Sequence, residues 1–369
     1  MEPPTPVASA GTPAPNSTPT PAADYLDVLA TAPSSGPLPT LPAVDGPFEL
    51  VVVGQSGVSV VGSDGERLVA SIAKPPVATF CEDDNGAVSV DGWLRHMGSI
   101  GDQCVVWLYD LSHPESAPFA ITTAGNDISA PVWGPNGLLA LDNGNVVFDP
   151  RNQTTFVPVE PLATGEIGPS WTADGAGIID PNGPGGAGVM PFVGTYEVGL
   201  QASSDRLIGR DGNALCSYWM IYVSQSTGCN PPDFGTLETG PVHDWTSGVP
   251  HSIDLPWAAG FATNGRSIWT TVRRNSNNRQ IELDRLDGPS QIGKSIEIAT
   301  DHPSIVGSFG ISPDDAAFAL GLVQIADGPH VSQRLYVPAD GSPPVTLDAW
   351  PAGWVPKALA DSWPTVAAP

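Results

Sequence analysis

The residue types best able to do chemistry in this 369-residue chain are six histidines, four cysteines and a cluster of arginines. The histidines lack metal-binding spacings such as His-Glu-x-x-His, and no Gly-x-Ser-x-Gly segment marks a serine nucleophile. Glu82, Asp83 and Asp84 form an acidic turn, but Leu94 stands where an EF-hand calcium loop needs its glutamate. The sequence therefore predicts no catalytic residue, no metal site and no cofactor, and it favours a protein that is not an enzyme.

Two loop-like segments carry side chains that could bind a small ligand or a sugar. One contains Asp301 and His302, directly before a predicted strand, and the other contains His243, Asp244 and Trp245. The alternative for each histidine is an ordinary surface or hydrogen-bonded side chain. These residues are candidates for a binding site, and a hydrolase or lyase that uses them remains an alternative.

A basic hairpin is the one anomaly in the charge pattern. Alternating apolar residues predict two strands around Asn-Ser-Asn-Asn, with Arg273, Arg274 and Arg279 near the tip. A positive spot on an acidic protein could guide an acidic partner and offer it bidentate hydrogen bonds. The alternative is a hairpin whose arginines neutralise the neighbouring Glu282 and Asp284.

The overall charge excludes some partners. Thirty-nine acidic residues against fourteen basic ones give a net charge of -25, which repels nucleic acid and anionic lipid surfaces. The chain also has no apolar run near the ~18 to 20 residues that a membrane-spanning helix needs. Direct binding to nucleic acid is therefore not expected.

The cysteines form two close pairs, Cys81 with Cys104 and Cys216 with Cys229. Metal ligation would need Cys-x-x-Cys spacings or nearby histidines, so two local disulfides are the simpler interpretation. Free buried thiols are the alternative. Disulfides predict a location outside the reducing cytosol.

The first 47 residues differ from the rest of the chain, since they hold twelve of the 41 prolines and no basic residue. We expect residues 1–47 to be a disordered, extended linker and residues 48–369 to be one folded domain. No signal peptide is recognisable at the start. We therefore hypothesise that a natural export signal, with a lipidated cysteine, has been removed, so that the native protein is secreted or lipid-anchored.

Short β-rich segments separated by Gly, Pro, Asn and Asp fill residues 48–369 and predict an all-β fold. A recurring tag, an apolar or aromatic residue followed by a tight turn, suggests a repeat. Seven repeats would allot about 46 residues to each, within the ~40 to 50 typical of a four-stranded propeller blade. We predict a seven-bladed β-propeller, with six blades as the alternative. The tags centre on Trp133, Trp171, Phe261, Ile311 and Trp354, with weaker copies at Phe80 and Gln201.

The two ends of residues 48–369 complement each other. The C-terminal segment around Trp354 supplies a tag with too little chain after it to complete a sheet, whereas residues 48–72 supply strands with no preceding tag. Joined in one sheet, the two segments would close the ring and leave few exposed sheet edges.

The tags resemble those of TolB-like β-propellers, whose blades carry an aromatic-Ser-Pro-Asp-Gly segment. The matching stretches are 133–137 (Trp-Gly-Pro-Asn-Gly), 171–175 (Trp-Thr-Ala-Asp-Gly) and 311–315 (Ile-Ser-Pro-Asp-Asp). The resemblance implies a propeller fold for most of residues 48–363. The family includes periplasmic partner-binding modules and the propellers of prolyl oligopeptidases, so it does not assign a role to single residues.

These observations favour an extracytoplasmic binding or scaffolding propeller that engages another protein of the cell envelope. The alternative is a propeller that binds a carbohydrate or small ligand in its axial funnel.

Overall fold

The described part of the structure, a computed structural model, covers most of the chain outside residues 1–24 and 192–235. It comprises residues 25–28, 30–34, 36–41, 46–55, 57–62, 65–72, 75, 81, 86–122, 131–141, 145–158, 170–171, 175, 177–180, 188–191, 236–239, 251–254, 258–263, 267–273, 279–288, 291–300, 302–324 and 332–366. Within these ranges the protein is all-β, with one short helix, α1 (Lys357–Ser362).

The described strands form seven sheets, which we number in chain order. Sheet 1 contains β2 (Phe48–Gly54), β3 (Gly57–Gly62), β4 (Gly65–Ala70) and β26 (Trp350–Pro356). Sheet 2 contains β1 (Tyr25–Asp27), β5 (Ala87–Val88), β6 (Trp93–Ile100), β7 (Gln103–Asp110) and β8 (Phe119–Thr122). Sheet 3 contains β9 (Val132–Trp133), β10 (Leu139–Leu141), β11 (Val146–Asp149) and β12 (Thr154–Phe156).

The remaining four sheets follow along the chain. Sheet 4 contains β13 (Ser170–Trp171), β14 (Gly177–Asp180) and β15 (Gly188–Pro191), and sheet 5 contains β16 (Thr236–Thr239) and β17 (His251–Asp254). Sheet 6 contains β18 (Ala258–Thr263), β19 (Ile268–Arg273), β20 (Gln280–Gly288) and β21 (Gln291–Ala299). Sheet 7 contains β22 (Ser304–Ile311), β23 (Ala317–Gln324), β24 (Ser332–Pro338) and β25 (Val345–Leu347).

Apolar side chains hold neighbouring sheets face to face in chain order. Separate buried clusters join sheets 1 and 2, sheets 2 and 3, and sheets 3 and 4. Two further clusters join sheet 6 to sheet 7 and sheet 7 to sheet 1. Strands with neighbours on both faces need apolar residues on both, which explains the nearly unbroken valine runs of β2 and β3.

Sheet 1 unites the two ends of the folded region. β26 pairs antiparallel with β2, so that Trp354 lies opposite Leu50, although the sequence separates them by most of the chain. The ammonium of Lys357 then bonds to Glu49 at 3.0 Å and to Asp361 at 2.8 Å, and these carboxylates raise its pKa. The sequence had predicted that these two segments share a sheet, and the strand pairing confirms it.

Three sheets have the same turn between the first two of their four antiparallel strands, and we call it the tag turn. It spans residues 89–92, 134–137 and 312–315, and in each copy the N–H of the fourth residue donates to the carbonyl of the first at 3.0 to 3.1 Å. The fourth residues, Gly92, Gly137 and Asp315, all have positive φ, at 91°, 73° and 59°. Glycine adopts this conformation without a steric cost, and aspartate tolerates it. The sequence did not predict the copy at residues 89–92, and the weaker copy that it suggested around Phe80 lies outside the described residues.

The third residue of each tag turn reaches the sheet that follows. Asn136 donates from its amide to the carbonyl of Gly175, at 2.8 Å, and Asp314 accepts the backbone N–H of Phe48 at 3.0 Å. Asp91 lies 3.6 Å from the guanidinium of Arg151. The polar tag residues of the sequence therefore connect neighbouring sheets as well as forming turns.

The tag tryptophans connect the sheets in the opposite direction. The indole N–H of Trp133 donates to the carbonyl of Ala87 at 3.0 Å, and that of Trp171 donates to the carbonyl of Val132 at 3.1 Å. Each bond runs from one sheet to the first strand of the preceding sheet. These two indoles therefore lie between successive sheets.

The N-terminal segment corrects the predicted linker boundary at residue 47. β1 adds to the outer edge of β8 in parallel, and further along the N–H of Ser34 donates to the carbonyl of Thr155 at 2.8 Å. Val28 and Leu38 are buried against the sheets. We call residues 25–38 the strap. Their apolar residues follow no regular period, so the pattern predicts no strand there, but a strand that adds to a sheet edge needs only a few apolar residues.

Replacing Asn136 with alanine should destabilise the protein by about 1 to 3 kcal/mol, because the side chain is 2% exposed and its loss leaves the Gly175 carbonyl unpaired. Asn152→Ala, in the exposed turn after β11, is the matched control and should change stability by less than about 0.5 kcal/mol. Chemical denaturation of both variants measures the difference. Equal midpoints would contradict the assigned role of the tag turn.

Val28→Asp should release the strap, because it places a charge at a position that is 0% exposed. Amide hydrogen exchange in residues 25–28 and 119–122 should then accelerate at least about tenfold, equivalent to ~1.4 kcal/mol. Ala32→Asp adds the same charge at an exposed position of the strap and should leave these rates unchanged. Unchanged exchange in Val28→Asp would show that the strap is not held by this side chain.

Candidate binding surface at the crossover face

The sheets have two kinds of end. The tag turns lie at one end, and the opposite end carries the segments that lead from the last strand of one sheet to the first strand of the next. In antiparallel sheets the turns between second and third strands share that second end. We call it the crossover face. It includes residues 101–102, 300, 302–303 and 348–349, together with the end of β19 and the start of β20.

Two of the predicted site residues meet at the crossover face of sheet 6. Arg279 directly precedes β20 and His302 follows β21, and both are exposed. The N–H of Thr300 donates to the carbonyl of Arg279 at 2.9 Å, which fixes the two segments side by side. The carbonyl of His302 accepts the hydroxyls of Thr300, at 2.8 Å, and Ser304, at 3.0 Å.

The other candidates in this region are placed only in part. Arg273 is the last residue of β19 and pairs with Ile281, so its backbone lies at the same end as Arg279. Five candidates lie outside the described residues: His243, Asp244, Trp245, Arg274 and Asp301.

The neighbouring acids of β20 are buried. Glu282 and Asp284 lie within sheet 6, and Asp284 accepts the hydroxyl of Ser295 at 2.5 Å. Cross-strand pairing sets them on the face opposite Ile281 and Leu283, which pack against sheet 7. These carboxylates therefore belong to the interior of the fold.

A disulfide fastens the crossover segment before β5. Cys81 is bonded to Cys104, the second residue of β7, across a sequence separation of 23. This confirms one of the two predicted pairs. Cys216 and Cys229 lie outside the described residues.

A cation–aromatic pair that the sequence did not predict lies where sheet 7 packs on sheet 1. The guanidinium carbon of Arg334 lies 3.4 Å from the centroid of the Trp350 ring, and Trp350 remains 36% exposed. The buried Nε of Arg334 has no hydrogen-bond acceptor in the described part of the chain. Burial also lowers the pKa of the guanidinium. Only two weak signals existed, namely an arginine in a predicted strand and a tryptophan four residues before a tag.

Several other basic side chains of the described residues bind oxygen acceptors. Arg67 donates to the carbonyls of Ala360 and Trp363, and Arg151 binds Asp149. Lys294 donates to the carbonyl of Ala339. These cations therefore fasten the fold, whereas Arg334 stands against an aromatic ring with donors to spare.

The described residues contain no cluster of three or more histidine, cysteine, aspartate or glutamate residues placed to hold a metal ion. No helix among them is long and apolar enough to cross a membrane.

No family model matches the chain, and no curated protein matches it. One similar solved structure is dihydro-heme d1 dehydrogenase NirN in complex with DHE, at 13% identity and a TM-score of 0.43, covering 86% of this chain and 77% of that one.

Two further solved structures are similar at lower scores. A prolyl endopeptidase has 12% identity and a TM-score of 0.35 over 72% of this chain and 42% of its own. A eukaryotic initiation factor has 12% identity and a TM-score of 0.35 over 86% of this chain and 92% of its own. These scores support no inference about activity or ligand, and the resemblance to TolB-like propellers stays a prediction.

Replacing Cys81 and Cys104 together with serine should lower the free energy of unfolding by about 3 kcal/mol, as expected for a loop of this length. Under reducing conditions the variant and the wild type should have equal denaturation midpoints if the effect comes from the bond itself, because both then lack every disulfide. A variant as stable as the oxidised wild type would contradict this role.

Proposed function

We propose that the folded domain is a seven-bladed β-propeller of the TolB-like kind, closed by sheet 1. The seven sheets in chain order and the face-to-face packing of five pairs of successive sheets support this architecture. Sheet 1 contains both ends of the domain and packs on sheets 2 and 7, which is the arrangement that closes a ring.

We propose further that the protein is an extracytoplasmic binding module that engages another protein of the cell envelope without catalysis. The observation that carries this proposal is the meeting of Arg279 with His302 and the end of β19 at one exposed edge. On a chain of net charge -25, a local group of basic residues guides and orients an acidic partner. The Cys81–Cys104 disulfide is compatible with a location outside the cytosol.

The test removes positive charge from the proposed contact and measures recovery of the partner. Replacing both Arg273 and Arg274 with glutamine should reduce crosslinked recovery of the native envelope partner at least about fivefold at low salt, with a smaller effect at high salt. The matched control is Asn152→Asp with Gln153→Glu, which makes the same change in net charge in an exposed turn at the tag-turn end.

We call the edge formed by Arg279, His302 and the end of β19 the basic edge. Equal recovery for both double variants would reject the basic edge as the contact. Recovery of only bulk envelope proteins by the wild type would reject partner binding altogether. In that case glycan arrays would test the alternative of a sugar-binding propeller.

A further inference from the structure

We propose that Arg334 and Trp350 form a receptor for a carboxylate on an extended peptide segment, which adds as a strand to the open edge of β25. This inference rests on the proposed role in protein binding and names a second contact, separate from the basic edge of sheet 6. The partner is thus a protein with an extended acidic segment.

The guanidinium of Arg334 is set up for such a ligand. The Trp350 ring covers one of its flat faces at 3.4 Å, so the cation is held by stacking rather than by a carboxylate of the described residues. Its edge keeps the fork of N–H donors that matches the two oxygens of a carboxylate. The Nε of Arg334 is buried and has no acceptor in the described part of the chain, so a ligand would not have to displace an existing hydrogen bond there.

The register places this cation beside an exposed strand. Arg334 pairs across β24 and β25 with Leu347, and β25 is the last strand of sheet 7, with no partner on its outer side among the described residues. Val345 and Trp350 are two of the four large apolar side chains that the described part leaves exposed. One belongs to β25 and the other begins β26, so both lie near the proposed path of the peptide.

The distances suit a peptide strand. Neighbouring strands are about 4.8 Å apart, so a strand added to β25 would run about 10 Å from β24. An arginine and a glutamate or aspartate side chain together span that distance. A side chain of the added strand that points to the same face as Arg334 could therefore reach its donors.

The fold already binds an extended segment in this manner. β1 of the strap adds to β8, the last of the four antiparallel strands of sheet 2, just as β25 is the last of the four in sheet 7. Backbone hydrogen bonds of an added strand supply affinity with little sequence preference, and nearby side-chain contacts supply specificity. For β25, Arg334 and Trp350 would supply that specificity.

The experiment selects ligands without assuming their sequence. A random twelve-residue peptide library displayed on phage is selected on the immobilised wild-type chain, and the enriched peptides are synthesised. We expect them to share an aspartate or glutamate. Their affinity should fall at least tenfold for Arg334→Gln, and equally when the acidic residue of the peptide becomes its amide, without a further loss when both changes are combined.

Matched variants distinguish binding at Arg334 from binding at the basic edge. They also distinguish a loss of binding from a loss of folding. Arg279→Gln removes the same charge on the same face of the protein and should leave peptide affinity unchanged. Arg334→Lys keeps the charge but not the fork, and should weaken binding by an intermediate factor. Equal unfolding midpoints establish that the variants fold, and bound peptide should slow amide exchange in residues 345–347.

The proposal is overturned if selection enriches no peptide, if the enriched peptides lack an acidic residue, or if Arg334→Gln binds them as the wild type does. If bound peptide slows amide exchange at the edge of a strand other than β25, the proposal is overturned equally. Loss of native partner recovery through Arg273 and Arg274, with no peptide bound at Arg334, would reject this site and leave the broader proposal standing.

Discussion

Sheet 1 has buried apolar side chains on both faces, so it requires a neighbouring sheet on each side. Val58 and Val60 of β3 pack towards sheet 2, whereas Val61 of the same strand packs towards sheet 7. An open stack of such sheets would always expose two apolar faces to water. Joining the first and last strands in one sheet removes that problem, because a sheet formed from both ends can be covered on both sides.

The tag turns fix the spacing at which this packing occurs. Apolar contacts are not directional, so they bring sheets together without setting their alignment. The bonds from Asn136 to the following sheet and from Trp171 to the preceding one are directional, and they fix one sheet against the next. This explains why tags with few identical residues still mark equivalent positions, since an asparagine and two aspartates perform the same task.

Turn chemistry and apolar alternation were enough to predict an all-β protein, the meeting of its ends and one disulfide. The tag at residues 89–92 escaped notice because the polar run from Cys81 to Gly86 imitates a turn more strongly. The strap escaped because prolines interrupt its apolar residues, and only the edges of β8 and β12 give those residues a place to pack. The Arg334 and Trp350 pair could not be read from the sequence, because the contact joins two sheets and depends on how they pack.

The pairing of β26 with β2 also determines when the domain can become complete. The contact between Lys357 and Glu49 spans 308 residues, so β2 must wait until nearly the whole chain has been synthesised. Until then its inner edge is bare and its apolar residues lack half of their neighbours, which makes the nascent chain a substrate for chaperones and proteases. The pairing in sheet 1 therefore becomes complete only after β26 has been synthesised.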